Sequence, residues 1–454
     1  MDLRIQKTYE ALFALEDIRE IFRESLPTGP DADGEKEIKR IAEELKKTIS
    51  DIESGTGQPK VRAIGNSLPI RDREEAYINI QPIQAAGRLT ADARKAIISY
   101  GDGYSACDQC RKPFRLDKIE KPCIAGFHRE LAEFLGMDEA RVVPGARRGF
   151  QAVTSTLIEK GDIAIATSLS HYTEFLAVEN SHGQIREIPA DKNNIITADS
   201  AAEKIEEVIR KEGKTPKLLM IDHFDYTYAN EHDVYGIAKV AKQYDIPLLY
   251  NGAYSVGVMP VDGRKIGADF VVGSGHKSMA SAAPSGVLAA TSEWAEEVFR
   301  TTQITGDVTN RRFGIKEVEM LGCTLMGAPL FTMMASFPHV VERTKHWDDE
   351  ITKISFLLDR MLAIKGTTVL SEYPRKHALT KVDTTDSFDT VSKTHKKRGF
   401  YFSSEMSKRG IAGVFPGATK QWKLSTYGLS WEKVRYLADS FDEIAEKYNL
   451  EVAK

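Results

Sequence analysis

Four cysteines in 454 residues are too few to staple a fold of this size. In a reducing compartment a close pair points to catalysis or metal binding rather than to a disulfide framework. Long apolar runs are missing too, since none approaches the roughly 18 to 20 residues of a membrane span. The stretch from Met1 to Asp17 lacks the basic-then-apolar order of a secretory leader. A cytoplasmic protein without a membrane partner is therefore expected. Nor is there an excess of one charge, because 62 Lys and Arg against 66 Asp and Glu leave −4. That excludes a strongly basic, histone-like chain, but not a nucleic-acid substrate, because local patches steer binding.

What is present is an ordinary globular composition, 42% apolar and 28% charged, with length for two to three domains. Leu12, Leu15, Ile18, Phe22 and Leu26 keep a helical period from Thr8 to Ser25. Ile38, Ile41, Leu45, Ile49 and Ile52 keep another from Lys36 to Ile52. The breaker-rich turn between them makes a helical hairpin, either packed on the main body or docking a partner. The Gly, Ser and Pro of residues 53–59 read as a linker, so a boundary is set near residue 70. A helix from Thr90 to Tyr100 follows, and Phe127, Leu131, Phe134 and Leu135 mark another that ends at Gly136.

From Arg141 the pattern alternates strand and helix. Strands are predicted at 141–143, 163–166, 217–222, 246–250, 268–272 and 286–289, with helices such as Val234 to Tyr244 between them. This is an α/β fold with a mainly parallel sheet over residues 71–330. Beyond Leu330 a smaller α+β domain, residues 331–454, should hold one long helical run from Phe331 to Ile364, short strands near 368–370 and 423–425, and a closing helix from Trp431 to Tyr448. It also contains the basic loop from Lys393 to Arg398, a solvated surface or a phosphate contact.

Ligands in such sheets sit at the carboxyl ends of the strands. His171, Tyr172, Asn230, Asn251, Ser274, His276 and Lys277 all fall just after predicted strands. Lys277 lies in a tight Gly/Ser turn, where a lysine can hold a Schiff base. Upstream, Gly145-Ala146-Arg147-Arg148-Gly149 opens a helix, and its free N-H groups and two arginines suit a phosphate. Cys107 and Cys110 form a C-x-x-C pair beside Arg111, Lys112 and Arg115, which favours thiolate. The other reading of that pair is a zinc knuckle with Cys123 as third ligand and His128 nearby.

The order Arg147, His171-Tyr172, Asn230, Asn251, Lys277 resembles pyridoxal-phosphate enzymes of fold type I. Further segments narrow the resemblance: Gly101-Asp102-Gly103-Tyr104-Ser105 through Cys107-Asp108-Gln109-Cys110, Asn251-Gly252-Ala253-Tyr254, Gly273 to Met279, Leu321-Gly322-Cys323-Thr324, and Lys423 to Ser430. Together they look like the archaeal O-phosphoseryl-tRNA:cysteinyl-tRNA synthase family over roughly residues 75 to 450, which leaves the N-terminal helical extension outside.

That resemblance implies pyridoxal 5'-phosphate bound through Lys277, with His171 stacked on the ring. Ala146, Arg147, Arg148, Ser274 and His276 would lie at the phosphate, Tyr172 beside His171, Asn251 at the ring nitrogen and Asn230 near the ring hydroxyl. In that superfamily residue 251 is normally Asp, so an uncharged Asn251 suggests a milder electron sink. The implied reaction eliminates phosphate from phosphoserine carried by tRNA(Cys) and adds sulfur. Cys107, Cys110 and Cys323 would relay that sulfur as a persulfide, through a disulfide, or on an iron–sulfur cluster, and no separate metal site is expected. A homodimer and a complex with phosphoseryl-tRNA synthetase are implied as well. The competing readings are a cysteine desulfurase-like lyase acting on a free amino acid, and a silent scaffold.

Overall fold

In a computed structural model of the chain, the structure describes residues 3–25, 29–54, 78–83, 85–100, 105–106, 123–312, 317–318 and 325–453. Cys107, Cys110 and Cys323, and the boundary expected near residue 70, lie outside them. The chain divides into two compact units, Met1–Asn79 with Met406–Gly413, and Ile80–Glu405 with Val414–Lys454.

The first unit carries the hairpin. Helix α1 (Leu3–Glu24) and helix α2 (Ala32–Ser54) pack on each other, and Lys7 bridges to Asp51 at 3.3 Å. Of the stripe expected on α2 only Ile41 is buried. Leu12, Leu15, Phe22 and Ile49 remain exposed. A short strand β1 (Ile78–Asn79) pairs in parallel with a second at Ile411–Ala412.

In the second unit, helix α3 (Ala91–Tyr100) precedes a two-residue strand, β2 (Ser105–Ala106). Helix α4 (Ile124–Phe134) then starts at Cys123, whose Sγ accepts from the Gly126 amide at 3.3 Å. The main sheet follows: β3 (Glu139–Val143), β4 (Ile163–Thr167), β5 (Gln184–Ile188), β6 (Leu218–Asp222), β7 (Leu248–Asn251), β8 (Phe270–Ser274) and β9 (Gly286–Ala290), in the order β3-β9-β8-β7-β6-β4-β5. Neighbours from β8 to β5 are parallel, while β9 runs antiparallel to both β8 and β3.

The side-chain alternation explains why both faces are covered. Ile163, Ile165, Leu219, Ile221, Leu248 and Val271 join one core with Leu131, Ile205, Ile237 and Phe331. Ala164, Ala166, Leu218, Met220, Leu249 and Val272 join the other with Phe150, Val153 and Val178. Helices α5 (Ala146–Leu157) and α6 (Tyr172–Asn180) lie on the second face. Strand β5 was not expected from the sequence. It is the sheet edge, and Gln184, Arg186 and Glu187 break its apolar pattern.

Past the sheet, the single helix expected from Phe331 to Ile364 is two: α7 (Gly327–Thr344) and α8 (Trp347–Ala363). The interruption falls at Lys345-His346, where no Gly or Pro marks it, whereas Pro338 sits inside α7. Strands β10 (Thr368–Val369), β11 (Leu379–Asp383) and β12 (Gln421–Ser425) form a three-stranded antiparallel sheet. Helix α9 (Trp431–Lys447) closes the chain. Among the described residues, no helix is long and apolar enough to cross a membrane.

Candidate active site

The carboxyl ends of β3, β4, β6, β7 and β8 share one edge of the sheet, and the loops that leave them build the site. After β8, residues Gly275–Ser278 form one helical turn that places Lys277 in a half-buried position. Its Nζ lies 3.4 Å from Tyr254 Oη and 4.6 Å from the centre of that ring. Burial, with a smaller push from the Lys423 cation and an opposing pull from Asp222, lowers the Lys277 ammonium to about 8. A lysine so poised is both a cation that can be lost and an amine that can react.

Several groups fix that turn. A Cβ at Gly87 would run into the His276 carbonyl oxygen. Half-buried Arg343 from α7 donates to the carbonyls of Gly257 at 3.0 Å, Ala86 at 3.1 Å and Ser278 at 2.5 Å. His276 Nδ1 lies 3.0 Å from Ser285 O. Ser274 pairs with Gly286 across the sheet, and Val143 pairs with the same glycine from its other side. A Cβ at Gly286 would sit 2.5 Å from the Ala146 amide nitrogen. Ser274, Ala146 and the start of α5 therefore converge on a spot kept open by a missing side chain. Gly145, in the left-handed region at φ 91°, turns the chain there, and no side chain caps α5. Arg147 is exposed on the first turn of that helix and Arg148 is half-buried.

After β4, His171 caps α6. Its Nδ1 lies 2.9 Å from Thr173 Oγ1, and Tyr226 meets its ring edge-on at 5.0 Å. Burial, then the Lys277 and Lys423 cations, lower His171 to about 4, so its ring is neutral near pH 7 and suited to stacking. Tyr172 faces outward and is 62% exposed, with its ring 4.3 Å from that of His171.

Asn251, at the end of β7, is buried. Its Nδ2 donates to Glu174 Oε1 at 2.6 Å and to Asp222 Oδ1 at 2.6 Å, while its Oδ1 accepts from the Ala253 amide at 3.1 Å. Ser170 Oγ donates to Asp222 Oδ2 at 3.1 Å. Burial raises both carboxyls, Glu174 to about 7 and Asp222 well above its ordinary range, where the Glu174 charge raises it further. Glu174 Oε2 is buried without a hydrogen bond.

Asn230 is buried and joined to the backbone of neighbouring loops. Its Nδ2 donates to the carbonyls of Asn193 at 3.1 Å and Asn194 at 3.3 Å, and its Oδ1 accepts from the Glu372 amide at 2.7 Å. Those bonds tie loops together and leave one lone pair on Oδ1. Of the zinc reading's residues, only Cys123 and His128 lie among those described. Cys123 caps a helix, and His128 Nε2 accepts from the Val142 amide at 3.3 Å in the core, where burial lowers it to about 3.

Sequence reasoning missed Tyr254 as a partner of Lys277, the acids Glu174 and Asp222, the clamp Arg343, and Tyr226. Lys423 Nζ donates to Tyr226 O at 2.6 Å and stands opposite Lys381 across β11 and β12. Only the Asn-Gly-Ala-Tyr segment carried a signal, for Tyr254. The others meet the site through folding.

A flat, phosphorylated aldehyde fits these groups. There is an amine near its neutral form, a neutral imidazole, an uncapped helix start beside the gap at Gly286, and the orphaned Glu174 oxygen behind Asn251.

Comparisons with known proteins agree with that fit. The family described as O-phosphoseryl-tRNA(Sec) selenium transferase, SepSecS, matches residues 173–446. The O-phospho-L-seryl-tRNA:Cys-tRNA synthase 2 of Methanoregula boonei is 66% identical over 454 residues, covering 100% of each chain. Synthase 1 of the same organism is 63% identical over 388 residues, covering 86% of this chain and 99% of its own. A solved chain from a SepCysS–SepCysE N-terminal domain complex is 38% identical, covers 86% of this chain and 100% of its own, and superposes with a TM-score of 0.76. The fold is that of type I pyridoxal-phosphate enzymes.

Proposed function

The chain belongs to the O-phospho-L-seryl-tRNA:Cys-tRNA synthase family, and on that premise we infer that Lys277 is the residue through which it works. It is a pyridoxal-phosphate-dependent transferase that converts O-phosphoseryl-tRNA(Cys) to cysteinyl-tRNA(Cys). When bound, pyridoxal phosphate supplies an electron sink for the pair left at the substrate α-carbon. His171 would lie against its ring, and Ala146, Arg148, Ser274 and His276 would surround its phosphate, with Arg147 guarding the rim.

Lys277 Nζ, lowered to about 8 by burial, takes the α-proton as a neutral amine. The β-carbon–oxygen bond then breaks and phosphate leaves with the bonding pair. Lys423, near enough to lower Lys277, offers that anion a cation. Sulfur, delivered as a sulfide equivalent through Cys107, Cys110 and Cys323, forms the new β-carbon bond, and Lys277 returns its proton to the α-carbon. A persulfide on one cysteine would release its outer sulfur as sulfide when a second cysteine attacks the inner sulfur and closes a disulfide, which an external thiol reductant reopens, whereas an iron–sulfur cluster would hold sulfide directly. The partners in this reading are tRNA(Cys) bearing phosphoserine, a second copy of the chain, and phosphoseryl-tRNA synthetase or a SepCysE-like adaptor.

The observation that carries the reading is the enclosed, poised Lys277 against Tyr254. Incubating holoenzyme with phosphoseryl-tRNA(Cys) and sulfide should yield cysteinyl-tRNA, and Lys277→Ala should reduce the rate by at least about a thousandfold. Rapid release of sulfide and alanine from free cysteine, with no turnover of the tRNA substrate, would establish the desulfurase reading instead.

A further inference from the structure

The amide of Asn251 cannot be turned around. Two carboxyl oxygens lie 2.6 Å from one of its ends, which only an NH2 group can serve, and a backbone N-H points at the other at 3.1 Å, which only oxygen can accept. Both donors of the amide are thereby spent on Glu174 and Asp222. What Asn251 has left to offer a ligand is a lone pair on Oδ1.

The two acids behind it are fully enclosed and approach the same nitrogen. Two buried carboxylates so placed cannot both be ionised cheaply, so they hold one proton and one negative charge between them. The charged groups that face the pair are Asp225, on the loop after β6, and Lys277, after β8, with the Ser170 hydroxyl on Asp222. An amide whose N-H groups donate to a charged acceptor has a more basic oxygen.

We propose that Glu174 and Asp222 are positioning residues that hold the Asn251 amide with its oxygen toward the cofactor, so that the ring nitrogen of bound pyridoxal phosphate is kept protonated. The charge that residue 251 lacks is thus supplied one layer further back, by the buried pair. This rests on the reading that Asn251 faces the ring nitrogen, and the test separates the two.

Holoenzyme reconstituted with pyridoxal phosphate carrying 15N in the ring is titrated by NMR, where protonated and neutral ring nitrogens have distinct shifts. The wild-type nitrogen should be protonated at neutral pH. The double variant E174Q/D222N, which keeps the shapes and removes the charge, should raise the acid dissociation constant of that nitrogen at least tenfold. A neutral wild-type nitrogen, or a double variant that titrates like wild type, overturns the proposal. Asn251→Ala is the control: if it leaves the signal unmoved, the facing itself is wrong and the proposal falls with it. If it moves the signal while the double variant does not, only the role of the pair is overturned. Infrared spectra of the apoenzyme give a second measurement should the double variant fail to bind cofactor. The wild type should show a buried carboxylic-acid band that E174Q and D222N each remove, and a band that survives both overturns the shared proton.

Discussion

At the scale of the residue, Lys277 is governed by what surrounds its ammonium. Burial and the Lys423 cation favour the neutral amine, whereas Asp222 favours the charged form. Only the neutral amine adds to an aldehyde, so cofactor uptake by apoenzyme should accelerate as pH rises toward about 8 and level off above it. Replacing Lys423 by Met removes a repulsive charge, which raises the Lys277 pKa and leaves less free amine at pH 7. Uptake there should slow by about two- to threefold and recover at higher pH, as stopped-flow absorbance would show. A pH profile that does not move would mean that Lys423 acts only on Tyr226. Lys277 stands out in the sequence because Gly273-Ser274-Gly275 and His276 frame it. Asn230 was singled out by its place after a strand, whereas its bonds to two carbonyls and an amide come only from the fold.

At the scale of the element, the proposed phosphate end of the site depends on three strand termini meeting at Gly286, between Val143 and Ser274. A side chain there would collide with the Ala146 amide and Gly145. Gly286→Val should therefore weaken cofactor binding at least tenfold and cost about 1 to 3 kcal/mol of stability, read from cofactor titration and thermal unfolding. Unchanged affinity would place the phosphate elsewhere. The inner strands were legible because β4, β6, β7 and β8 are buried throughout and apolar until their carboxyl ends. Edge strand β5 was not, because an edge tolerates Arg186 and Glu187 and loses the apolar run that betrays a strand.

At the scale of the molecule, the hairpin of α1 and α2 stands apart in composition and in its exposed Leu12, Leu15, Phe22 and Ile49. The shorter relative that matches 86% of this chain does so over nearly its whole length, so the family's reaction does not require every segment present here. Deleting residues 1–54 should leave the cofactor absorbance intact while weakening co-purification with phosphoseryl-tRNA synthetase or a SepCysE-like adaptor by roughly tenfold or more, since exposed apolar stripes mark interaction sites. Undiminished association would assign the hairpin another role.

The sequence by itself determined the alternating α/β order and the family, because each is written in local residue patterns and their order, and it is the source of the roles proposed for Lys277, Cys107, Cys110 and Cys323. Only the tertiary structure decided which groups act on one another across the chain. Glu174 from α6 and Asp222 from β6 meet at Asn251 from β7, and Arg343 reaches back from α7 to hold the turn after Lys277. Neither acid has a sequence signature, because its effect comes from burial and from a neighbour on another strand. The missing charge at residue 251 thus reads as an absence in the sequence and as a displaced charge in the fold.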